Sequence, residues 1–120
     1  MTVVNAILIG TRKDDIKQIR INTDTDIPRY LGGTGTFIGQ WIDHDIVIMK
    51  CREALFELNL NNNVLSTPFT RERVMGPILL IKMDEDAEPR DLAVQVIKEN
   101  NLVNREQTRY NLRRNVRLSS

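Results

Sequence analysis

Residues 3–10, VVNAILIG, decide the class of fold to which this chain belongs. The run is apolar except for Asn5, and Gly10 closes it. A strand that is apolar at successive positions is typical of the interior of a sheet whose two faces are both covered. Residues 78–83, ILLIKM, form a second run of the same kind. We therefore expect the sheet to contain at least these two buried strands.

The other β-prone segments are predicted to form hairpins. Ile19 and Ile21 alternate with polar neighbours, which indicates a half-exposed strand that pairs with the first one. Residues 36–42 and 45–52 flank a polar turn and are predicted to form a second hairpin, with Trp41 in the core. Two shorter strands are expected around the asparagine turn at residues 61–63.

Two helices are expected among these strands. Asp26 is placed to cap a short helical turn that contains Pro28 and ends at two glycines. Asp91 is expected to cap the main helix, at about residues 92–100, because apolar side chains there fall within about 140° of arc. The sequence therefore predicts a small α+β domain with a mostly antiparallel sheet of about five to seven strands, one main helix and a C-terminal strand or arm.

Composition limits the class of protein. Hydrophobic residues make up 41% of the chain and charged residues 28%, as is normal for a folded globular domain. No apolar run approaches the roughly 20 residues of a membrane-spanning helix, and the first residues lack the basic segment of a signal peptide. We therefore expect a cytoplasmic protein without membrane contact. The single cysteine, Cys51, is interpreted as an inert core thiol.

The net charge of +1 hides an uneven distribution. Residues 1–103 carry 12 basic and 15 acidic side chains, whereas residues 104–120 carry five arginines and one glutamate. We therefore divide the chain into an α+β domain, residues 1–103, and an arginine-rich tail, residues 104–120. A basic tail on an acidic body favours an acidic or polyanionic partner. The predicted binding residues are Arg105, Arg109, Tyr110, Arg113, Arg114 and Arg117.

The periodicity of the tail is compatible with two structures. On a helix, the arginines at every fourth position from Arg105 to Arg117 would form one basic stripe, which suits a phosphate backbone. In an extended chain, four apolar side chains share one face: Tyr110, Leu112, Val116 and Leu118. The strand pattern fits better. Such a strand can complete its own sheet or lie along the edge of a neighbouring subunit as an oligomerisation arm.

Three other clusters of residues are weaker candidates for a binding or catalytic site. The glycines of residues 32–39 lack the lysine and the spacing of nucleotide-binding loops, which favours an ordinary loop. The acidic residues 84–91 alternate as in calcium loops, but Pro89 and Gln95 stand where that motif needs glycine and glutamate. The polar turn at residues 43–45 cannot surround a metal unaided. We therefore assign no catalytic residue, metal or cofactor, and do not expect an enzyme.

The second half of the chain resembles a known family. Residues 56–99 contain Pro68, a glycine at Gly76 ahead of an apolar strand, Pro89 in an acidic loop, and Asp91 followed by leucine at a helix start. In these features the segment resembles an uncharacterised family of small proteins from large DNA viruses of algae and similar hosts. The resemblance implies a viral origin, with the host cytoplasm or the virion as location. Its motifs are structural and imply no catalytic residue.

Three functional hypotheses follow. The first is a non-enzymatic protein-interaction module, with a structural (minor virion) or accessory role implied by the resemblance. Its tail would dock on a neighbouring subunit or another protein, so we expect a homo-oligomer or a complex. The alternative is a nucleic-acid-binding protein that uses the tail arginines. A metal-dependent hydrolase that uses residues 43–45 and the carboxylates of residues 84–91 has the least support.

Overall fold

The two apolar runs form neighbouring strands in the middle of an antiparallel sheet. A computed structural model describes residues 2–53 and 58–105 of the chain. The elements, in chain order, are β1 (Val3–Ile9), β2 (Ile16–Asn22), α1 (Ile27–Leu31), β3 (Gly35–Trp41), a 3₁₀ turn (Ile42–His44), β4 (Ile46–Cys51), β5 (Ile78–Met83), β6 (Pro89–Arg90) and α2 (Val94–Glu99). The predicted α+β class and mostly antiparallel sheet are confirmed.

The sheet has the strand order β2-β1-β5-β4-β3, and the short β6 pairs with the end of β5. Both predicted hairpins are present, because β1 pairs with β2 and β3 pairs with β4, each antiparallel. β5 lies between the two hairpins and pairs with β1 on one side and β4 on the other. β2 and β3 are therefore the two edge strands.

Each face of the sheet carries its own hydrophobic core, as the unbroken apolar runs predict. Ile7 and Leu80 point to one face, where α2 and the chain after it pack. Ala6 and Leu79 point to the other face, where Leu31 of α1 covers them. Successive residues of β1 and β5 thus serve opposite cores.

A β-bulge changes the direction of the side chains within β3. Phe37 pairs with Met49, but Gly39 pairs with Ile48, so one extra residue lies between the two pairs. As a result, Gly39 and Trp41 point to the α2 face, whereas Phe37 precedes the change and is 58% exposed. The bulge therefore directs Trp41 towards Ser66 and Phe69, in the loop that precedes β5.

The main helix is shorter than predicted. It spans Val94–Glu99, with Ala93 rather than Asp91 at the N-cap position. The Asp91 carboxylate instead accepts a hydrogen bond from the Asn5 N–H at 2.8 Å, and the Leu92 N–H donates to the Asn5 carbonyl at 2.9 Å. The segment before the helix thus continues to pair with β1, which delays the first helical turn. Among the residues described, no helix is long and apolar enough to cross a membrane.

The short helix α1 follows the prediction more closely. Asp26 occupies its N-cap position and Gly32 ends it with φ 85°. The Asp26 carboxylate nevertheless accepts its hydrogen bond from the Asn22 N–H, at 2.8 Å, and not from the helix. This bond holds the pKa of Asp26 below its ordinary value, since it stabilises the charged form. Asp26 therefore closes the β2–α1 turn.

The strands predicted around residues 61–63 are absent from the described part of that region, which begins at residue 58. Two isolated bridges replace them, Leu60 with Met75 and Leu65 with Val103. The reason is that Asn61 and Asn63 are buried and turn their amides towards distant backbone groups. The segment is a loop held by side chains.

Candidate functional site

An open groove of about 520 Å³ lies where the β3–β4 turn meets the chain that follows α2. Its walls come from residues 40–44, residues 66–68 and residues 100–102. Arg105, the last residue that the structure describes, also lines it. The structure thus brings together the polar hairpin tip and the first tail arginine, which lie far apart in the sequence.

Trp41 supplies the buried part of the groove wall. Its side chain is 5% exposed and meets the Phe69 ring edge-on, with 6.2 Å between the ring centroids. The indole N–H points at the Ser66 carbonyl, 3.5 Å away. A Cβ at Gly39 would lie 2.5 Å from two carbons of the Phe69 ring, so glycine is needed for the ring to pack here. This part of the wall is buried and largely apolar.

The hairpin tip forms the exposed rim of the groove. Ile42 is 76% exposed, which is unusual for a large apolar side chain. Asp43 and Asp45 are exposed and His44 is half-buried. Asp45 adopts φ 57°, and its carbonyl accepts a hydrogen bond from the Met83 N–H at 2.8 Å, which ties the tip to β5. The rim therefore offers an apolar contact beside two carboxylates.

The candidate ligands of the hydrolase hypothesis do not converge on one ion in the described part of the chain. Within residues 2–53 and 58–105, no three His, Cys, Asp or Glu side chains are arranged to hold a metal ion. Asp43 and Asp45 belong to the hairpin tip, and the carboxylates of residues 84–91 belong to the separate turn between β5 and β6. The structure therefore does not bring together the residues of the hydrolase hypothesis.

Arg105 is the predicted binding residue whose position is described: it is exposed and lines the groove. The other five predicted residues lie outside the described part of the chain: Arg109, Tyr110, Arg113, Arg114 and Arg117. The structure thus places the first tail arginine beside the groove.

The root of the tail is attached to the body by Asn104. Its side-chain amide donates to Asn63 Oδ1 at 2.7 Å and to Asp14 Oδ1 at 2.8 Å. Its backbone N–H donates to the Val64 carbonyl at 2.7 Å, and its Oδ1 accepts from the Val64 N–H at 2.8 Å. The body therefore holds the chain one residue beyond the boundary at residue 103.

Asn61 and Asn63 stabilise the loop to which Asn104 is attached. The Asn63 amide donates to the carbonyls of Gly10 and Arg12 at 2.8 and 2.9 Å, and the Asn61 amide donates to the Gly76 carbonyl at 2.9 Å. The sequence alone predicted a turn between two short strands at these asparagines. No local signal could have found their roles, because the partners of Asn63 lie 53 and 51 residues away.

The comparison with protein-family models gives a match over residues 7–101, to the family of unknown function DUF5880. The chain belongs to this family. The prediction of an uncharacterised family is confirmed, and the family description names no host. Curated proteins and solved structures give no match. The matched range includes the groove residues up to Asn101, while Arg105 and the rest of the tail lie beyond it.

In this DUF5880 member the acidic turn between β5 and β6 is organised by its own hydrogen bonds. Asp84 Oδ1 accepts from the Glu88 and Asp86 N–H groups, each at 2.9 Å, and Oδ2 accepts from Arg90 at 2.8 Å. The hydrogen bond from the Glu88 N–H, and to a smaller extent the bond from the Arg90 side chain, holds the pKa of Asp84 below its ordinary value. The turn is therefore a structural connection in which the carboxylate is already engaged.

The glycine-rich residues 32–39 also have structural roles. Gly32 ends α1, while Gly35 and Gly39 belong to β3. A Cβ at Gly35 would contact Ile27 and Met49 at 3.0 Å, so the strand passes close beneath α1. Cys51, at the end of β4, is buried.

Proposed function

We propose that this DUF5880 chain is a non-enzymatic protein-interaction module whose tail, residues 104–120, is an arm that docks on a neighbouring copy or another protein. One observation carries the proposal: the root of the arm is held at Asn104, and Arg105 emerges at a groove whose rim carries the 76% exposed Ile42. A held root reduces the freedom that docking must remove. The exposed isoleucine provides apolar contact area beside it.

The distribution of charge supports docking between copies. Residues 1–103 carry 12 basic and 15 acidic side chains, and residues 104–120 carry five basic and one acidic. The arm of one copy is therefore attracted to the body of the next, and like charges keep the bodies apart. The alternating apolar residues of the arm supply apolar contact area, which charge alone does not provide.

A structural (minor virion) or accessory role in a virus is the more specific form of this proposal. Its ground is the resemblance of residues 56–99 to small proteins of large DNA viruses. An arm that links identical copies suits an assembly built from repeated subunits. The interaction role does not depend on this origin.

The test is the mass of the protein in solution. Light scattering should show an oligomer for the full chain and a monomer for a chain that ends at Arg105, which keeps Asn104. A control variant with Leu112, Val116 and Leu118 changed to serine retains all five arginines and should also be monomeric. A full chain that is monomeric, or an oligomer that survives the truncation, would contradict the proposal.

Nucleic-acid binding is the second candidate, favoured by the five arginines among the last 17 residues. If all five contact phosphates of duplex DNA, the logarithm of the binding constant should fall against the logarithm of salt concentration with a slope of about −4 to −5. Fluorescence anisotropy with a labelled duplex measures this slope. Binding that does not weaken as the salt concentration rises, or that persists after all five arginines become alanine, would exclude nucleic-acid binding through the tail.

A further inference from the structure

The two edge strands of the sheet differ in how they are protected. β2 carries the exposed Lys17 and Arg20, and its Gln18 side chain accepts a hydrogen bond from the Val94 N–H of α2 at 3.1 Å. Charged side chains and a covering element are common protections against pairing with another strand. β3, with the sequence GTFIGQW, carries no charged side chain. The β3 edge is the one open to an added strand.

The hydrogen-bond alternation shows which groups of β3 point outward. The Arg52 N–H donates to the Thr34 carbonyl at 2.6 Å, so the next bonded pair towards β4 is Thr36 with Lys50. Phe37 therefore directs its N–H and C=O away from β4. Beyond the bulge, where Gly39 and Trp41 face β4, Gln40 does the same.

These outward groups are available for pairing. Within the described residues, the backbone groups of Phe37 and Gln40 have no hydrogen-bond partner on the outer side. The Phe37 side chain, 58% exposed, stands beside them. An incoming strand gains backbone hydrogen bonds from the edge and apolar contact from this ring.

The starting point of the tail argues against pairing within one chain. Arg105 and Trp41 line the same groove, so the tail starts at the Trp41 end of β3. β3 is about 24 Å long, and the alternating apolar segment, residues 110–118, begins about 17 Å of extended chain beyond Arg105. Along its own β3, Val116 and Leu118 would pass the far end of the strand. A strand from a second copy does not start at this end, so it can place Val116 and Leu118 beside β3.

We propose that the outer edge of β3 receives residues 110–118 from a second copy of this chain, as an added strand. The inference rests on the proposed arm function and names its receiving surface. Asp43 and Asp45, exposed at the Trp41 end of the edge, face the arginines of the incoming arm. Exchange of arms between two copies gives a closed, two-fold dimer.

A proline placed in each edge strand in turn tests whether the β3 edge is the receiving surface. Phe37→Pro removes an outward N–H and should raise the dissociation constant of the full-chain dimer by at least about tenfold in sedimentation equilibrium. Arg20→Pro is the matched control on β2, where the bonded pairs Thr2 with Thr23 and Gly10 with Asp15 leave the Arg20 N–H pointing outward. It should leave the dissociation constant unchanged. Phe37→Ala separates the loss of the ring from the loss of the N–H.

Truncation after Arg105 distinguishes the two proposals. If truncation abolishes association but Phe37→Pro does not, the arm docks elsewhere and the β3 inference is wrong. If truncation has no effect, the arm function fails as well. A Phe37→Pro effect that Arg20→Pro reproduces would also overturn the inference.

Hydrogen exchange on the unmodified full chain provides a measurement that does not depend on a variant folding. The Phe37 and Gln40 amides should exchange at least about tenfold more slowly in the concentrated, associated protein than in dilute solution. The Arg20 amide should exchange equally at both concentrations. Equal rates for Phe37 and Gln40 at the two concentrations would overturn the inference, and strong protection at both would indicate pairing within one chain.

Discussion

The Asn63 side chain connects parts of the chain that are distant in sequence. Its Oδ1 accepts from the Asp14 N–H and from the Asn104 amide, each at 2.7 Å. Its Nδ2 donates to the carbonyls of Gly10 and Arg12. The β1–β2 turn, the loop after β4 and the root of the tail therefore share one buried amide. Such a network stabilises only while each member keeps its partners.

Replacing Asn63 with alanine should lower the free energy of unfolding by about 2–4 kcal/mol, because several partly buried hydrogen bonds to the backbone of the β1–β2 turn are lost. Urea unfolding followed by circular dichroism measures the change. Asn62→Ala is the matched control, since the neighbouring Asn62 side chain is exposed, and should cost less than about 0.5 kcal/mol. Equal losses for the two variants would show that the network contributes little.

At the scale of elements, the β5–β6 turn is stabilised by the Asp84 carboxylate in its charged form. The pKa of Asp84 is lowered by the Glu88 N–H and by Arg90. Because this pKa is lowered in the folded state, the charged carboxylate stabilises the fold at pH values above the unfolded pKa, about 3.9. This stability is lost as the pH falls through the folded pKa. The turn should therefore loosen in acid.

Asp84→Asn removes this charge and should lower the urea midpoint at neutral pH. In acid, once the pH has fallen below the folded pKa of Asp84 and the wild-type carboxyl is also neutral, the midpoints of variant and wild type should approach each other. Glu85→Gln in the same exposed turn is the control. A deficit of the Asp84→Asn variant that is the same at both pH values would rule out a role for the charge.

The strands of the two hairpins and β5 were the most predictable elements, because local periodicity determines them. β1 and β5 match their apolar runs residue for residue. The start of α2 was not predictable, since Asp91 is an ordinary helix cap by sequence and is instead bonded to Asn5, 86 residues away. The same holds for the site: Arg105 was identified by charge, but its proximity to Trp41 and Ile42 follows from tertiary packing.

At the scale of the whole molecule, the first residue of the tail is attached to the body. The change in composition places the boundary after Val103, where arginines begin. Asn104, the first of these residues, is nevertheless hydrogen-bonded to the body, because its side chain and backbone contact Asp14, Asn63 and Val64. A cut at residue 103 therefore removes part of the fold together with the arm.

A chain ending at Val103 should be less stable than one ending at Arg105, by about 1–3 kcal/mol in urea unfolding, because the Val64 backbone and the Asn63 amide lose partners. Asn104→Ala in the longer chain should reproduce most of this loss, whereas Arg105→Ala, an exposed neighbour, should not. Equal stability of the two truncated chains would place Asn104 in the tail. If the shorter chain is less stable, its weaker association would also reflect partial unfolding of the groove. Only the chain that ends at Arg105 then reports on docking separately from folding.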